Sequence, residues 1–403
     1  MKRGPLAIVF VYVVVELLGM SLILPLLPYY AQQFAASPIL IGLLGTANAL
    51  AQVIGAPIIG RLSDRYGRRP LILLGTLATA AGFVMLGFAR WLWLMFASRI
   101  LDGLLGGNVA LAQAYITDVT DEQNRARGLG TIGAAFGIGF IIGPAAGGLL
   151  ARWGVAVPAF AAAGLALVNF AWVLAALPES LTAERRAALK LNPAPPVTAG
   201  ALAAALRRPV LGPLLHARLF YALAFGVFQA SFALWASRRL GLEAQSTAYV
   251  LAYVGLLSVL IQGFAIGPLA KRYSERTLIV AGILVLAASL AAWGFVPNLW
   301  LLLVVTAPTA FAAGVLNVAL TSALTKATAR EDVGGTLGLA TALQSLTGIV
   351  APLLGGLLMQ EVGTWSLGVF GAVVLAWLAV FAARRIRPAP GAATDLAKAP
   401  AGA

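Results

Sequence analysis

Gly60-Arg61-Leu62-Ser63-Asp64-Arg65-Tyr66-Gly67-Arg68-Arg69-Pro70 is a charged run set between two long apolar stretches. A related run, Gly267-Pro268-Leu269-Ala270-Lys271-Arg272-Tyr273-Ser274-Glu275-Arg276, returns 207 positions on, from residue 60 to residue 267. Five of the ten aligned positions are identical: Gly60/Gly267, Leu62/Leu269, Arg65/Arg272, Tyr66/Tyr273 and Arg69/Arg276. A charged hairpin between membrane-length helices, repeated once per half, is the layout of a duplicated secondary transporter.

The flanks fit that layout. Of 403 residues 61% are hydrophobic and 10% are charged, whereas a soluble domain carries about a quarter charged residues. A bilayer core demands about 20 apolar residues per helical span. Twelve such stretches occur, at 6–30, 38–62, 70–89, 91–116, 126–151, 156–177, 211–237, 245–270, 277–296, 299–324, 334–359 and 364–384. The first is too long for a signal peptide, lacks a small-residue cleavage site and carries Glu16 in its middle.

A net charge of +14 would suit nucleic acid, but the placement of the charges argues otherwise. With the N-terminus in the cytoplasm, 23 of 28 basic residues fall on that side. Arg90, Arg152, Arg238 and Arg239 fall outside, and Arg99 lies within a span. This is the positive-inside pattern, and it predicts both termini in the cytoplasm of a bacterial-type inner membrane and no nucleic-acid partner. Without cysteine there are no disulfides, thiolate metal sites or thiol catalysis. The single histidine, His216, reads as an interfacial polar residue at the entrance of the seventh span, and no histidine–carboxylate cluster offers a metal site. No phosphate loop or catalytic triad is present, so neither an enzyme nor an ATP-driven pump is expected, and no cofactor.

Six spans precede residue 178 and six follow residue 210. The expected organisation is a bundle over 1–177, a cytoplasmic linker over 178–209 with a short helix near 182–191, a second bundle over 210–385 and a disordered tail over 386–403. The repeat extends to Asn108-Val109-Ala110-Leu111 against Asn317-Val318-Ala319-Leu320, and to Pro144-x-x-Gly147-Gly148 against Pro352-x-x-Gly355-Gly356. Halves with even numbers of spans insert in the same orientation, as parallel repeats.

The run at 60–70 resembles the signature between helices 2 and 3 of the major facilitator superfamily, and Leu177-Pro178-Glu179-Ser180-Leu181 resembles that family's ending to helix 6. Gly130-x8-Gly139-x3-Gly143-Pro144-x2-Gly147-Gly148 is similar to the helix 5 motif of its drug–proton antiporter branch, the tetracycline-efflux-type and multidrug exporters. The resemblance implies a gate: the aspartate matching Asp64 latches against the start of helix 11, here around Val333-Gly334-Gly335. Gly60, Asp64, Arg65 and Arg68 are therefore candidate gating residues, although the arginines also read as plain topology signals. In the fifth span Gly139, Gly143 and Gly147 share one face and Pro144 bends the axis. With Gly148 they offer a groove that serves either gating or tight packing; in the family, helix 5 meets helix 8, which here supplies Gly255, Gly263 and Gly267.

Three charges lie deep in spans: Glu16, Arg99 and Asp102. An ionisable group there is expensive and is a candidate functional site. Glu16 sits about ten residues into its span, near mid-depth. The segment Glu16-Leu17-Leu18-Gly19-x5-Pro25-x2-Pro28 resembles helix 1 of tetracycline-efflux-type antiporters, where an aspartate holds this place. Arg99-x2-Asp102-Gly103 resembles the helix 4 motif, whose arginine is tied to proton coupling. Arg99 and Asp102 share a helix face and equally suit a closed structural ion pair. A free glutamate titrates at about 4.3, so proton exchange at neutral pH requires surroundings that favour the neutral acid. An Arg99 occupied by Asp102 would not oppose that. The antiporters resembled also carry acids in helices 3 and 9; residues 70–89 and 277–296 have none.

Tyr12, Asn108, Gln113, Tyr221, Gln229, Trp235, Gln262, Asn317 and Gln344 are candidates for lining a cavity between the halves, or for bridging helices. A pocket so apolar, with one acid, suits lipophilic cations better than sugars. The expectation is an all-α membrane protein of twelve helices in two six-helix bundles, monomeric in the lipid bilayer, that exports lipophilic cationic drugs in exchange for protons and so confers antibiotic resistance. A sugar or metabolite transporter on the same fold, or a non-transporting sensor, are the alternatives.

Overall fold

A computed structural model of the chain describes residues 3–182, 184–186, 199–328 and 332–386. The tail expected to be disordered and most of the expected helix near 182–191 lie outside these residues. Among the described residues every regular element is helical, and twelve helices are long and apolar enough to cross a bilayer. They run Gly4–Gln32, Pro38–Tyr66, Arg68–Gly87, Leu92–Val119, Arg127–Trp153, Ala156–Ala176, Leu211–Leu240, Ala244–Arg272, Glu275–Gly294, Leu299–Lys326, Val333–Glu361 and Ser366–Arg385. All twelve expected spans are present, and the protein is a multi-pass membrane protein.

Local chemistry explains the ends and the breaks. Ser37, Asp121, Ser274 and Asn298 each accept a backbone N–H at a helix start, replacing a bond the first turn cannot make itself. The first span breaks between Ile23 and Leu27, around Pro25, whose ring denies the helix a donor. The fourth breaks at Gly106-Gly107, between helices Leu92–Leu105 and Asn108–Val119. The eighth contains a π-turn at Ile261–Ala265.

The chain divides into two compact units, Met1–Pro195 with Phe232–Leu256, and Pro196–Ser231 with Leu257–Ala403. In the first, the opening span packs on the fifth and sixth, the third on the fourth and sixth, and the second on the fourth. In the second, the ninth packs on the tenth and twelfth. The third-to-sixth and third-to-fourth contacts thus recur six spans later, as duplicated halves require.

Small residues set the closest approaches. Ser21 Oγ donates to Gly139 O at 2.7 Å, and a Cβ added to Gly143 or Gly147 would fall on Ser21 or on the Leu22 backbone. The glycine face of the fifth span is therefore filled by the first span. The eighth span meets the fifth elsewhere, at Gly148 against Ala248 and at Gly255 against the Phe140 backbone. The helix 5 motif thus serves two neighbours from two faces. In the second unit Ser231 Oγ occupies the corresponding space under Gly355.

Gly143→Val should overpack the contact between the first and fifth spans, at about 1–3 kcal/mol. Gly133, with no heavy atom near an added Cβ, should tolerate the same change. Melting curves followed by tryptophan fluorescence in detergent check this: a fall for Gly143→Val only is expected.

Candidate functional site

Inside the first unit, four spans bring polar side chains to one point. Glu16 comes from the first span, Thr79 from the third, Asp102 and Asn108 from the two sides of the break in the fourth, and Asn169 from the sixth. The break matters because a continuous helix would turn Asn108 away from the direction it takes after Gly106-Gly107. Gly75 makes room for it: a Cβ there would coincide with Asn108 Oδ1.

Asn108 Nδ2 donates to Glu16 Oε1 at 2.6 Å and lies 3.2 Å from Thr79 Oγ1. Asn169 Nδ2 donates to Tyr12 O at 3.1 Å and reaches Glu16 Oε2 at 3.5 Å. Thr79 Oγ1 stands 3.4 Å from Glu16 Oε1 and 3.4 Å from Asp102 Oδ1. One hydroxyl proton therefore faces two carboxyls and can serve only one at a time. Asp102 Oδ2 also accepts from Asn48 Nδ2 at 3.3 Å and faces Arg99 Nη1 at 3.5 Å. Arg99, 9% exposed, donates from Nη2 to Ser98 Oγ and lies over the Phe83 ring.

The carbonyl oxygens Asn108 Oδ1 and Asn169 Oδ1 are buried and have no partner among the described residues. An ionised Glu16 uses the two amide donors. A protonated Glu16 carries an O–H that needs an acceptor, and rotation of either amide supplies one. The site can thus satisfy the acid in both of its protonation states.

A second polar cluster joins the 60–70 hairpin to the end of the sixth span. Asp64 Oδ1 pairs with Arg68 Nη2 at 2.7 Å, and Arg68 Nε donates to Asp118 Oδ2 at 3.0 Å. Ser180 and Arg185 also reach Asp118. The Glu179 carboxylate accepts the backbone N–H groups of Arg68 and Arg69 at 2.9 and 3.2 Å, capping the third span as an anion should. Gly67, at φ +109°, has no room for a Cβ beside that carboxylate. Gly60 and Arg65 flank the Asp64–Arg68 pair on the helix that carries Asp64, and Gly60 O accepts from Ser63.

The remaining residues singled out in sequence are placed as follows. Tyr12 is fully buried in the apolar core of the first unit, and Trp235 is buried too. Gln113, Gln229 and Gln262 are exposed, the last within the π-turn. Tyr221 is buried and donates to Ala313 O at 3.1 Å. Asn317 and Gln344 both accept from Arg218, which donates at 2.7 and 3.1 Å. His216 bonds Gly212 O in its own helix. Among the described residues no three His, Asp or Glu side chains converge as metal ligands.

Sequence reasoning missed Asn48, Thr79, Asn169 and Arg218. A signal existed for Asn169, which is the one amide in an otherwise apolar sixth span. Arg218 counts in sequence as a flanking cation, yet it is the eighth residue of the span Leu211–Leu240.

The model of the Major Facilitator Superfamily matches residues 9–266 and 217–403. The chain is 31% identical to "Tetracycline resistance protein, class C" of Escherichia coli over 91% of its length and 92% of that protein's. It is 29% identical to "Multidrug resistance protein 2" of Bacillus subtilis (strain 168) over 86% of each. A solved bacterial homolog of the human lysosomal transporter Spinster superposes with a TM-score of 0.76 at 15% identity, covering 94% of this chain and 96% of that one.

Asp102→Ala would strand Arg99 in a buried place without its carboxylate, a change that costs roughly 3–5 kcal/mol. Glu16→Gln keeps an acceptor for Asn108 and should cost no more than about 1 kcal/mol. Melting temperatures of the two variants in one detergent check the contrast, the first falling well below the second.

Proposed function

The chain belongs to the major facilitator superfamily, and on that premise we propose that it is a drug–proton antiporter, exporting lipophilic, cationic small molecules by alternating access. The observation that carries the reading is Glu16, a membrane-embedded acid with hydrogen-bond partners for both its charged and its neutral form. A cationic compound that pairs with the carboxylate displaces its proton, and a proton that returns displaces the compound. Asp102 holds Arg99, so the arginine does not lock Glu16 in its charged form.

The Thr79 hydroxyl stands between Glu16 and Asp102 and gives a proton a hydrogen-bonded route between the two carboxyls, while Asn108 Nδ2 donates to both Glu16 and Thr79 and holds them in place. Arg99, Asp102 and Asn108 are in this reading positioning residues for the coupling step. The hairpin network of Asp64, Arg68 and Asp118, with Gly60 and Arg65 beside it and the Gly139–Gly148 segment around Pro144, supplies the gate. Two relatives, one named a tetracycline resistance protein and the other a multidrug resistance protein, agree with export of antibiotics and other drugs. The excess of basic residues on one side supports an orientation with both termini in the cytoplasm, and the reading has the protein working as a monomer in a bacterial-type inner membrane. Exchange that moves net positive charge inward gains about 2.3 kcal/mol per charge per 100 mV.

Proton release from the detergent-solubilised protein, followed with a pH indicator while a panel of cationic dyes and antibiotics is added, tests the proposal. The wild type should release protons and bind more weakly as pH falls, because protons and cation compete. Glu16→Gln should release none and bind with a flat pH profile. An unaltered profile in that variant would remove Glu16 from the coupling step.

A further inference from the structure

In the second unit an arginine stands inside the span array with no counter-ion among the described residues. Arg218 lies roughly 10 Å along its helix from Leu211, at 1.5 Å per residue, within the span rather than in the loop before it. Its guanidinium donates to Asn317 Oδ1 at 2.7 Å and to Gln344 Oε1 at 3.1 Å, side chains of the tenth and eleventh spans. Both partners are neutral amides. Among the described residues no carboxylate comes within 4 Å of it, whereas Arg99 and Lys326 each have one and Arg68 has two. A cation at this depth is costly unless an anion or an ordered polar shell compensates it. Two of five N–H donors are engaged, which leaves three for another acceptor.

The surroundings fit a ligand better than a closed bridge. Asn317 and Gln344 are exposed, so the cradle opens outward from the packed helices. Along the seventh span Tyr221, Phe225 and Phe228 follow Arg218 on one helical face. Their rings lie 5.9 and 5.7 Å apart in succession. Tyr221 and Phe228 are buried, so this face backs the guanidinium with apolar packing, and the free donors suit an anionic group, because arginine forks onto carboxylates in pairs of parallel bonds.

We infer that Arg218, held by Asn317 and Gln344, binds an acidic group of the transported compound. The inference rests on the transport reading above and deepens it: the cargo carries a carboxylate or similar anion besides any cationic centre, and is amphoteric rather than purely cationic.

Two dyes separate the possibilities. Rhodamine 110 bears a free carboxylate, and rhodamine 123 is its methyl ester with the same ring system. Binding of each to the full-length, detergent-purified protein is measured by fluorescence anisotropy for the wild type, Arg218→Met and Arg218→Lys. The wild type should prefer the acid. Arg218→Met should lower the acid-to-ester affinity ratio at least tenfold, and Arg218→Lys should restore part of it. A ratio that stays constant across the three proteins, or a wild type that does not prefer the acid, overturns the inference. So does protection against melting by inorganic phosphate or phosphatidylglycerol that needs Arg218 while the dye ratio does not, since the site then belongs to a free ion or a lipid headgroup. Failure of the antiport reading looks different: neither dye would release protons from the wild type, whatever their affinity ratio.

Discussion

A carboxyl group placed mid-way along a membrane-spanning helix has little water to fall back on, and its neighbours must supply most of the hydrogen bonds it makes. That constraint organises the first unit. Glu16 is reached by Asn108 and Thr79, with Asn169 at the limit of bonding distance, so the third, fourth and sixth spans are all tied to the first. The break at Gly106-Gly107 and the missing side chain at Gly75 are consequences of fitting Asn108 into place. Ser21, five residues beyond Glu16, bonds the fifth span at Gly139, so that span too is tied to the first.

The hairpin cluster follows the same logic in a more exposed setting. Asp118 is shared among Arg68, Ser180 and Arg185, and Glu179 is shared among backbone donors at the head of the third span. In each case one carboxylate collects donors from segments far apart in sequence, so a change at any member reaches several helices. Arg218 is the exception, held by amides alone among the described residues, and this difference in compensation marks it as a residue that receives a charge from elsewhere.

Much of the architecture is legible in the chain. The twelve spans, their repeat and the depth of Glu16 come from runs of apolar residues and the rise of a helix, both local properties. The ion pair of Arg99 with Asp102 is equally local, three residues apart on one helix. The partners of Glu16 are another matter. Asn108 was visible only as one amide among nine cavity candidates, and Thr79 and Asn169 as ordinary polar residues, because a side chain three helices away leaves no periodic trace. The glycine face of the fifth span was visible as a groove, but not the helix that fills it.

Composition and spacing by themselves determined that this is a helical, duplicated membrane protein with an acid stranded in its first span, since the bilayer punishes any other use of such a sequence. The tertiary structure alone decided which amides attend that acid, that the first span rather than the eighth fills the Gly139–Gly147 face, and that Arg218 sits among neutral partners inside the array. Those outcomes depend on how helices rotate about their axes and approach one another, and that is set by packing over the whole unit rather than by any stretch of residues.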